Sequence, residues 1–325
     1  MINWEPVNTF IADKQRFLLA THLNPDGDGL GSQVALAACL RQMGKTVILK
    51  NPNPTPVIFQ FLDPAREITC FEKNKDAALL DSIDVVIVVD ISDWERLGEM
   101  GQELRQRQIP LVCIDHHIPT DIMGEVQIID SGASSTGELI YDYLVYCGTQ
   151  FNQTMIDALY TCILTDTGSF RFSNTTAKTH TIAADLLSRG AKNQQVYSQV
   201  YENYSKNRYY LMGHLLVNMQ FACNDRLVWY VVSKALRATT GVELWEIEGM
   251  SELTRNIRNI EISIMFTEMD NGTKVSFRSR GNIPINDLAN KFNGGGHKFA
   301  SGAMVNLDLQ TTIDTVIAES QKLFI

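Results

Sequence analysis

The segment that most constrains this chain is Asp84-Val-Val-Ile-Val-Val-Asp90. Val85 to Val89 are all β-branched, with no polar residue alternating among them. A strand of that kind must be covered on both faces, as in a parallel sheet between helical layers. The run ends abruptly on Asp90. A carboxylate at the end of a buried strand is costly unless it is paired or bound to a cation.

The surrounding pattern extends this reading. Phe17–Thr21 is a short apolar run, and a helix is expected from about Ser32 to Met43, stopped by Gly44. Thr46–Leu49, Pro110–Ile114 and Val126–Ile129 read as further strands, with a polar helix from Trp94 to Gln108 between them. Alternation of this kind predicts an α/β fold with an N-terminal doubly wound, mostly parallel sheet. Ligands of such sheets lie beyond the carboxyl ends of the strands, where His22, Asp90 and Asp115 fall. Helices dominate from Glu138 to about Leu216, and the Tyr/Asn/Gln-rich stretch 191–210 reads as a connector between residues 1–190 and 211–325. In the last third, Leu227–Ser233, Glu261–Met269, Lys274–Arg280 and Ala303–Leu307 read as strands, with Asp270-Asn271-Gly272 as a hairpin turn. This predicts a smaller, mixed-sheet α/β domain.

Composition removes several classes. No stretch approaches the roughly 20 apolar residues that a membrane helix needs, and Met1–Thr9 lacks a charged-then-apolar signal layout. The six cysteines form no CxxC pair, which fits reduced thiols and a cytoplasmic protein. The net charge of −9 argues against a dedicated binder of long DNA. That charge is uneven: residues 1–205 carry 15 basic and 25 acidic side chains, residues 206–325 carry 13 and 12.

Four clusters supply candidate chemistry: Thr21-His-Leu-Asn-Pro-Asp-Gly-Asp28, Asp90, Asp115-His116-His117, and Thr165-Asp166-Thr167-Gly168. In the first, His22, Asp26 and Asp28 sit on an expected loop whose proline and glycines suit a tight turn around an ion; a Pro-Asp-Gly turn with an incidental histidine is the alternative. Adjacent histidines at the end of an apolar run rarely arise from packing. Carboxylates with one or two imidazoles per ion suit Mn²⁺ better than a thiolate-rich structural zinc site. Two such ions roughly 3.5–4 Å apart clamp a phosphoryl group and lower the pKa of a bridging water, so no nucleophilic side chain is required. The chain has no GxSxG elbow and no Walker A loop.

Near the far end, Asn293-Gly-Gly-Gly-His297-Lys exposes backbone N–H groups that suit a phosphate. Arg278 and Arg280 alternate along an expected strand and so face one side, as anion clamps or as a solvated face. Ser131–Thr136 and Asn174-Thr175-Thr176 read mainly as helix caps. His180 and His214 lie outside the clusters and read as structural.

With the four clusters and the terminal GGGH in this order, the chain resembles the DHH phosphoesterase superfamily across nearly its whole length. Within it, the resemblance is to the branch with a type-one DHH-associated C-terminal domain, and to the NrnA-like oligoribonucleases and pAp phosphatases. The resemblance implies that His22 and Asp26 bind one metal and that Asp28, His116 and Asp166 bind the second, with Asp90 bridging. It implies that His117 contacts the scissile phosphate and that Asp115 supports the histidines. The expected cofactor is a pair of Mn²⁺ ions, with Mg²⁺ or Co²⁺ as substitutes. The implied substrates are short single-stranded RNA and pAp, converted by hydrolysis to 5′-mononucleotides. Arg278, Arg280, Gly294, Gly295, Gly296 and His297 would hold the nucleotide, with no long duplex and no membrane as partner. A homo-oligomer is compatible with this reading. Alternatives are a phosphodiesterase acting mainly on linear dinucleotides such as pApA and a manganese-dependent pyrophosphatase. A RecJ-like exonuclease and a nucleotide sensor with a vestigial site fit the length and the complete ligand set less well.

Overall fold

The computed structural model describes residues 2–119, 121–247, 249–254 and 256–324, and only the backbone of His297. The chain divides into two compact units, Met1–Asn203 and Tyr204–Ile325.

The first unit opens with α1 (Glu5–Ile11), β1 (Arg16–Ala20), α2 (Gly27–Gln42), β2 (Thr46–Asn51), β3 (Thr69–Cys70) and α3 (Lys73–Leu80). It continues with β4 (Val85–Val89), α4 (Gly98–Arg107), β5 (Leu111–Asp115) and β6 (Val126–Ile129), then α5 (Thr136–Tyr146), α6 (Gln153–Asp166), α7 (Ala177–Ser188) and α8 (Asn193–Tyr201). The strands form one sheet in the order β3-β2-β1-β4-β5-β6, all pairs parallel. The doubly wound expectation is met. Alternate residues of β4 feed separate cores, Val85, Ile87 and Val89 on one face and Val86 and Val88 on the other, which is why none of them is polar. Chain order reverses between β1 and β4, the position at which sheets of this kind bind their ligands.

Helix α2 differs from expectation. It starts at Gly27 rather than near Ser32, because the Asp26 side chain caps it by accepting from the N–H groups of Asp28 and Gly29, both at 3.1 Å. The glycines that suggested a turn serve close packing instead. A Cβ on Gly31 would lie 2.5 Å from the carbonyl oxygen of Ala158 in α6. The Trp94–Gln108 pattern divides at Gly98 (φ +57°) into a 3₁₀ turn, Trp94–Leu97, and α4. The stretch expected as a connector is largely helical, and Val196 and Val200 of α8 belong to the first unit's core.

The second unit contains α9 (Lys206–Val217), β7 (Gln220–Ala222), β8 (Leu227–Val232), α10 (Lys234–Thr240), β9 (Ile262–Met269), β10 (Gly272–Ser279), α11 (Asn286–Asn290), β11 (Gly295–His297), β12 (Ala300–Val305) and α12 (Leu309–Gln321). Its sheet runs β11-β12-β10-β9-β8-β7 and is mixed, with only β8–β9 parallel among its pairs. The hairpin turn lies where the sequence placed it, between β9 and β10. Among the described residues, no helix is long and apolar enough to cross a membrane.

Candidate metal centre

The loop after β1 is fixed by a buried amide pair. Asn51 and Gln33 exchange side-chain hydrogen bonds, and the Asn51 Oδ1 also accepts from the N–H of Thr21 at 3.0 Å. Next along the chain, Nδ1 of His22 meets the carbonyl of Leu23 at 2.8 Å. This directs Nε2 toward carboxylates, 3.3 Å from Asp90 Oδ2 and 3.7 Å from Asp26 Oδ1. Asp90 itself is 1% exposed and left-handed (φ +63°), a conformation that aspartate tolerates better than most side chains.

At the end of β5, Asp115 and the two histidines take different directions. Asp115 Oδ1 holds Nδ1 of His117 at 2.8 Å. His116 turns its Nδ1 to the carbonyl of Ala133 at 3.3 Å. Its Nε2 is buried without a hydrogen-bond partner, yet oxygens of Asp166, Asp28 and Asp90 stand 3.2, 3.7 and 3.7 Å away. Asp166 ends α6, and Gly168, Ser169 and Phe170 follow it with positive φ, turning the chain sharply away.

The structure thus gathers His22, Asp26 and Asp90; Asp28, His116 and Asp166; and Asp90, His116 and His117. Within each group, ligand atoms lie within 4.8 Å of one another. Asp90 joins two groups, and so does His116.

The N-terminus of α5 supports this cluster in a way that the sequence did not reveal. The N–H groups of Thr136 and Gly137 donate to the two oxygens of Asp28 at 2.7 and 2.8 Å, and the Thr136 hydroxyl donates to Asp90 at 3.0 Å. A Cβ on Gly137 would lie 2.2 Å from that of Cys162, so only glycine lets the helix end approach so closely. Ser135 is the cap of α5, and Thr176 is the cap of α7. Asn174 caps neither helix, and its Nδ2 instead ties the carbonyl of Ser134 to that of Asp166. Three adjacent hydroxyl residues, Ser134–Thr136, where a cap needs one, were the available signal.

Electrostatics show how strained this gathering is without a cation. Burial pushes Asp28 up, and burial together with the Asp28 charge pushes Asp90 well above the usual carboxylate range. Asp166 is likewise pushed well up by burial and by the charges of Asp28 and Asp26. Burial opposes protonation of His22, yet its bonds to Asp26 and Asp90 carry it up to about 10. Asp115 is the opposite case: despite burial, its bond to His117 pulls it down to about 2. Crowded carboxylates that resist joint ionisation, around an imidazole nitrogen lacking a partner, fit divalent cations.

The second unit's candidates are disposed differently. Gly295–His297 form edge strand β11, and Gly294 precedes it, so the triple glycine is part of a sheet rather than a loose loop. The side chain of His297 lies outside the described residues. Arg278 is paired with Glu252, while Arg280, just past β10, is exposed and donates to the carbonyl of Ile257 at 3.3 Å. Outside the clusters, His180 stacks on Phe170 with ring centroids 5.2 Å apart, and His214 lies exposed on α9.

Comparison with known proteins follows the same division. Residues 16–165 match the DHH family, N-terminal domain, and residues 230–322 match the DHHA1 domain. Over 300 residues the chain is 31% identical to the bifunctional oligoribonuclease and PAP phosphatase NrnA of Bacillus subtilis, covering 89% of this chain and 88% of that one. The chain belongs to the DHH family. The Thermus thermophilus NrnA is a further DHH-family relative, 29% identical over 303 residues, with 92% and 87% covered. Among solved structures, an exopolyphosphatase-related protein from Bacteroides fragilis superimposes with a TM-score of 0.92 at 26% identity, over 98% of this chain and 96% of that one. DHH-family membership, with donors of this kind gathered in one place, makes the protein a metal-dependent hydrolase of phosphate esters.

Proposed function

We propose that the protein hydrolyses short single-stranded oligoribonucleotides to 5′-mononucleotides and removes the 3′-phosphate of pAp. The observation that carries this reading is Asp90, a buried carboxylate standing between the donors His22 and Asp26 on one side and Asp28, His116 and Asp166 on the other. His22 and Asp26 would hold one ion and Asp28, His116 and Asp166 the second, with Asp90 shared. Carboxylate and imidazole donors without a thiolate favour Mn²⁺, with Mg²⁺ or Co²⁺ as substitutes. When bound, two such ions supply Lewis acidity that offsets phosphate charge and makes water a better acid.

The chain's own groups orient the substrate. Asp115 fixes the tautomer and ring direction of His117 through Nδ1, and His117 would then meet the scissile phosphate. Thr136 and Gly137 hold Asp28 and Asp90 so that neither carboxylate must reorganise as substrate enters. The two substrates pose one problem. In each, the bond to be broken joins phosphorus to O3′ of a 5′-phosphorylated nucleotide, and only the remaining 3′ substituent differs. Residues 211–325 would form the nucleotide-binding domain, through Gly294, Gly295, Gly296, His297 and Arg280, and through Arg278 once it exchanges Glu252 for a phosphate. The excess of acidic side chains argues against long duplexes as partners, and six cysteines without a CxxC pair fit a cytoplasmic place of action. Relatives named as bifunctional oligoribonucleases and PAP phosphatases support both activities.

Purified protein with Mn²⁺ should be offered pAp, pApA, a 5-mer RNA, a 24-mer RNA and pyrophosphate. The expected order of kcat/KM places pAp, pApA and the 5-mer well above the 24-mer and pyrophosphate. Preference for pyrophosphate, or equal rates on the 5-mer and 24-mer, would reject the assignment.

A further inference from the structure

We propose that Arg96 binds a non-bridging oxygen of the scissile phosphate; this rests on the functional reading above. The argument begins with charge. Asp26, Asp28, Asp90 and Asp166 together contribute four negative charges, and two divalent ions would bring four positive ones. A neutral centre of that kind has no net pull on an anionic substrate, so further positive charge must come from the protein.

Two arginines of the first unit stand close in sequence to the cluster. Arg171 follows Asp166, but it is exposed and its Nε is committed to the carbonyl of Gly168 at 2.7 Å. Arg96 sits in the 3₁₀ turn that follows Asp90. Its carbonyl accepts from the N–H of Leu23 at 2.7 Å, which places its backbone beside the His22–Asp26 loop. The side chain is half-buried, and among the described residues its guanidinium takes part in no hydrogen bond, ion pair or ring contact. It is near enough to Asp26 to help hold that carboxyl low, yet it forms no ion pair with it. A half-buried guanidinium close enough to Asp26 to act on its carboxylate, yet paired with no acid, has its planar set of donors available for an incoming phosphate.

In the sequence, Arg96 lies within a polar helix pattern, where an arginine looks like a solvated face. The fold changes its meaning, since residues 94–97 form a 3₁₀ turn separate from α4, and the carbonyl of Arg96 in it accepts from the N–H of Leu23 in the β1 loop.

Arg96→Gln and Arg96→Lys, each with Mn²⁺, test the assignment on pAp and pApA. Mn²⁺ affinity is measured by calorimetric titration, and folding by thermal melting. Loss of one charge-assisted contact should lower kcat/KM for both substrates by roughly tenfold to a hundredfold in Arg96→Gln. Arg96→Lys should recover part of the loss, while Mn²⁺ affinity and Tm stay at wild-type values. A kcat/KM within threefold of wild type in Arg96→Gln overturns the proposal. So does a parallel fall in Mn²⁺ affinity, which would make Arg96 a support for Asp26. A wild-type protein inactive on both substrates defeats the functional reading and this inference with it; an active wild type matched by Arg96→Gln defeats this inference alone.

Discussion

The two candidate regions are built in opposite ways. In the first unit the charged groups are buried or half-buried and packed against one another, with Asp28 bound at both oxygens and Asp90 at the meeting point of His22, His116 and Thr136. In the second unit the groups are exposed or provisionally paired, Arg280 at the surface and Arg278 against Glu252. A metal centre must be assembled before its ion arrives, because donors that reorganise lose affinity. A nucleotide-binding surface has to release its product, so weak and exchangeable contacts serve it better. Substitutions at the donors of the first unit, and at the groups that hold them, should therefore act on metal binding and kcat together, and those in the second unit on KM.

The largest expected effect comes from Asp90→Ala. It removes the carboxylate shared by both donor groups, so kcat should fall by at least about a thousandfold and Mn²⁺ binding should weaken in parallel. Retained turnover would break the comparison at its base. Thr136→Val comes next. It deletes the hydroxyl donor to Asp90 and leaves both N–H bonds to Asp28 in place, so Mn²⁺ affinity should drop about tenfold to a hundredfold. Thr136→Ser should restore it. Calorimetry showing wild-type affinity in the valine variant would reduce Thr136 to a packing residue.

That difference between regions also explains what could be read from the sequence. The apolar runs ending in His22, Asp90 and Asp115 were legible because burial and charge conflict within a few residues, and both the sheet and its site follow from that conflict. The extent of α2 was less legible: Gly27, Gly29 and Gly31 look like a turn until α6 is known to press against them. Thr136 and Arg96 were hidden for a related reason. Their roles depend on a residue 46 positions away in one case and on a 3₁₀ turn bonded to the β1 loop in the other. Strands β3, β7 and β11 have two or three residues each, too few to show a period. In the second unit, Lys274–Arg280 implied two arginines on one strand face, but β10 stops at Ser279 and Glu252 takes Arg278. No local pattern announces an ion pair to a residue 26 positions away.

Arg280→Ala sharpens the contrast at smaller scale. It should raise KM for pAp by about five- to tenfold, with kcat and Mn²⁺ affinity nearly unchanged. Arg278→Ala should do less, because the native side chain already spends its charge on Glu252. Steady-state kinetics on the two variants will show whether the second unit contributes binding alone; a fall in kcat larger than the rise in KM would place Arg280 at the reacting atoms.

The smallest expected effect concerns the protein stripped of metal. His22 is carried up to about 10 in the folded state, against an ordinary value of 6.5. Its contribution to stability is therefore fully present below about pH 6.5 and is lost as pH rises toward 10. Asp28, Asp90 and Asp166 act in the same direction, since their raised values mean that the folded protein holds protons which the unfolded chain has released. Between pH 6.5 and 8.5 the metal-free protein should lose several degrees of Tm. Loading with Mn²⁺ should flatten that slope, because a bound cation takes over the role of those protons and itself stabilises the folded state by about 2.7 kcal/mol at a hundredfold excess over Kd. Among the thiols, Cys39, Cys113 and Cys162 are raised and begin to count only near pH 9. Cys147, lowered to about 7 by its hydrogen bond with Cys39, adds stability as pH rises through this window with and without Mn²⁺ alike, so the difference between the two slopes is the readout. Parallel melting curves with and without Mn²⁺ across this window would mean that the crowded carboxylates are not where the cation binds.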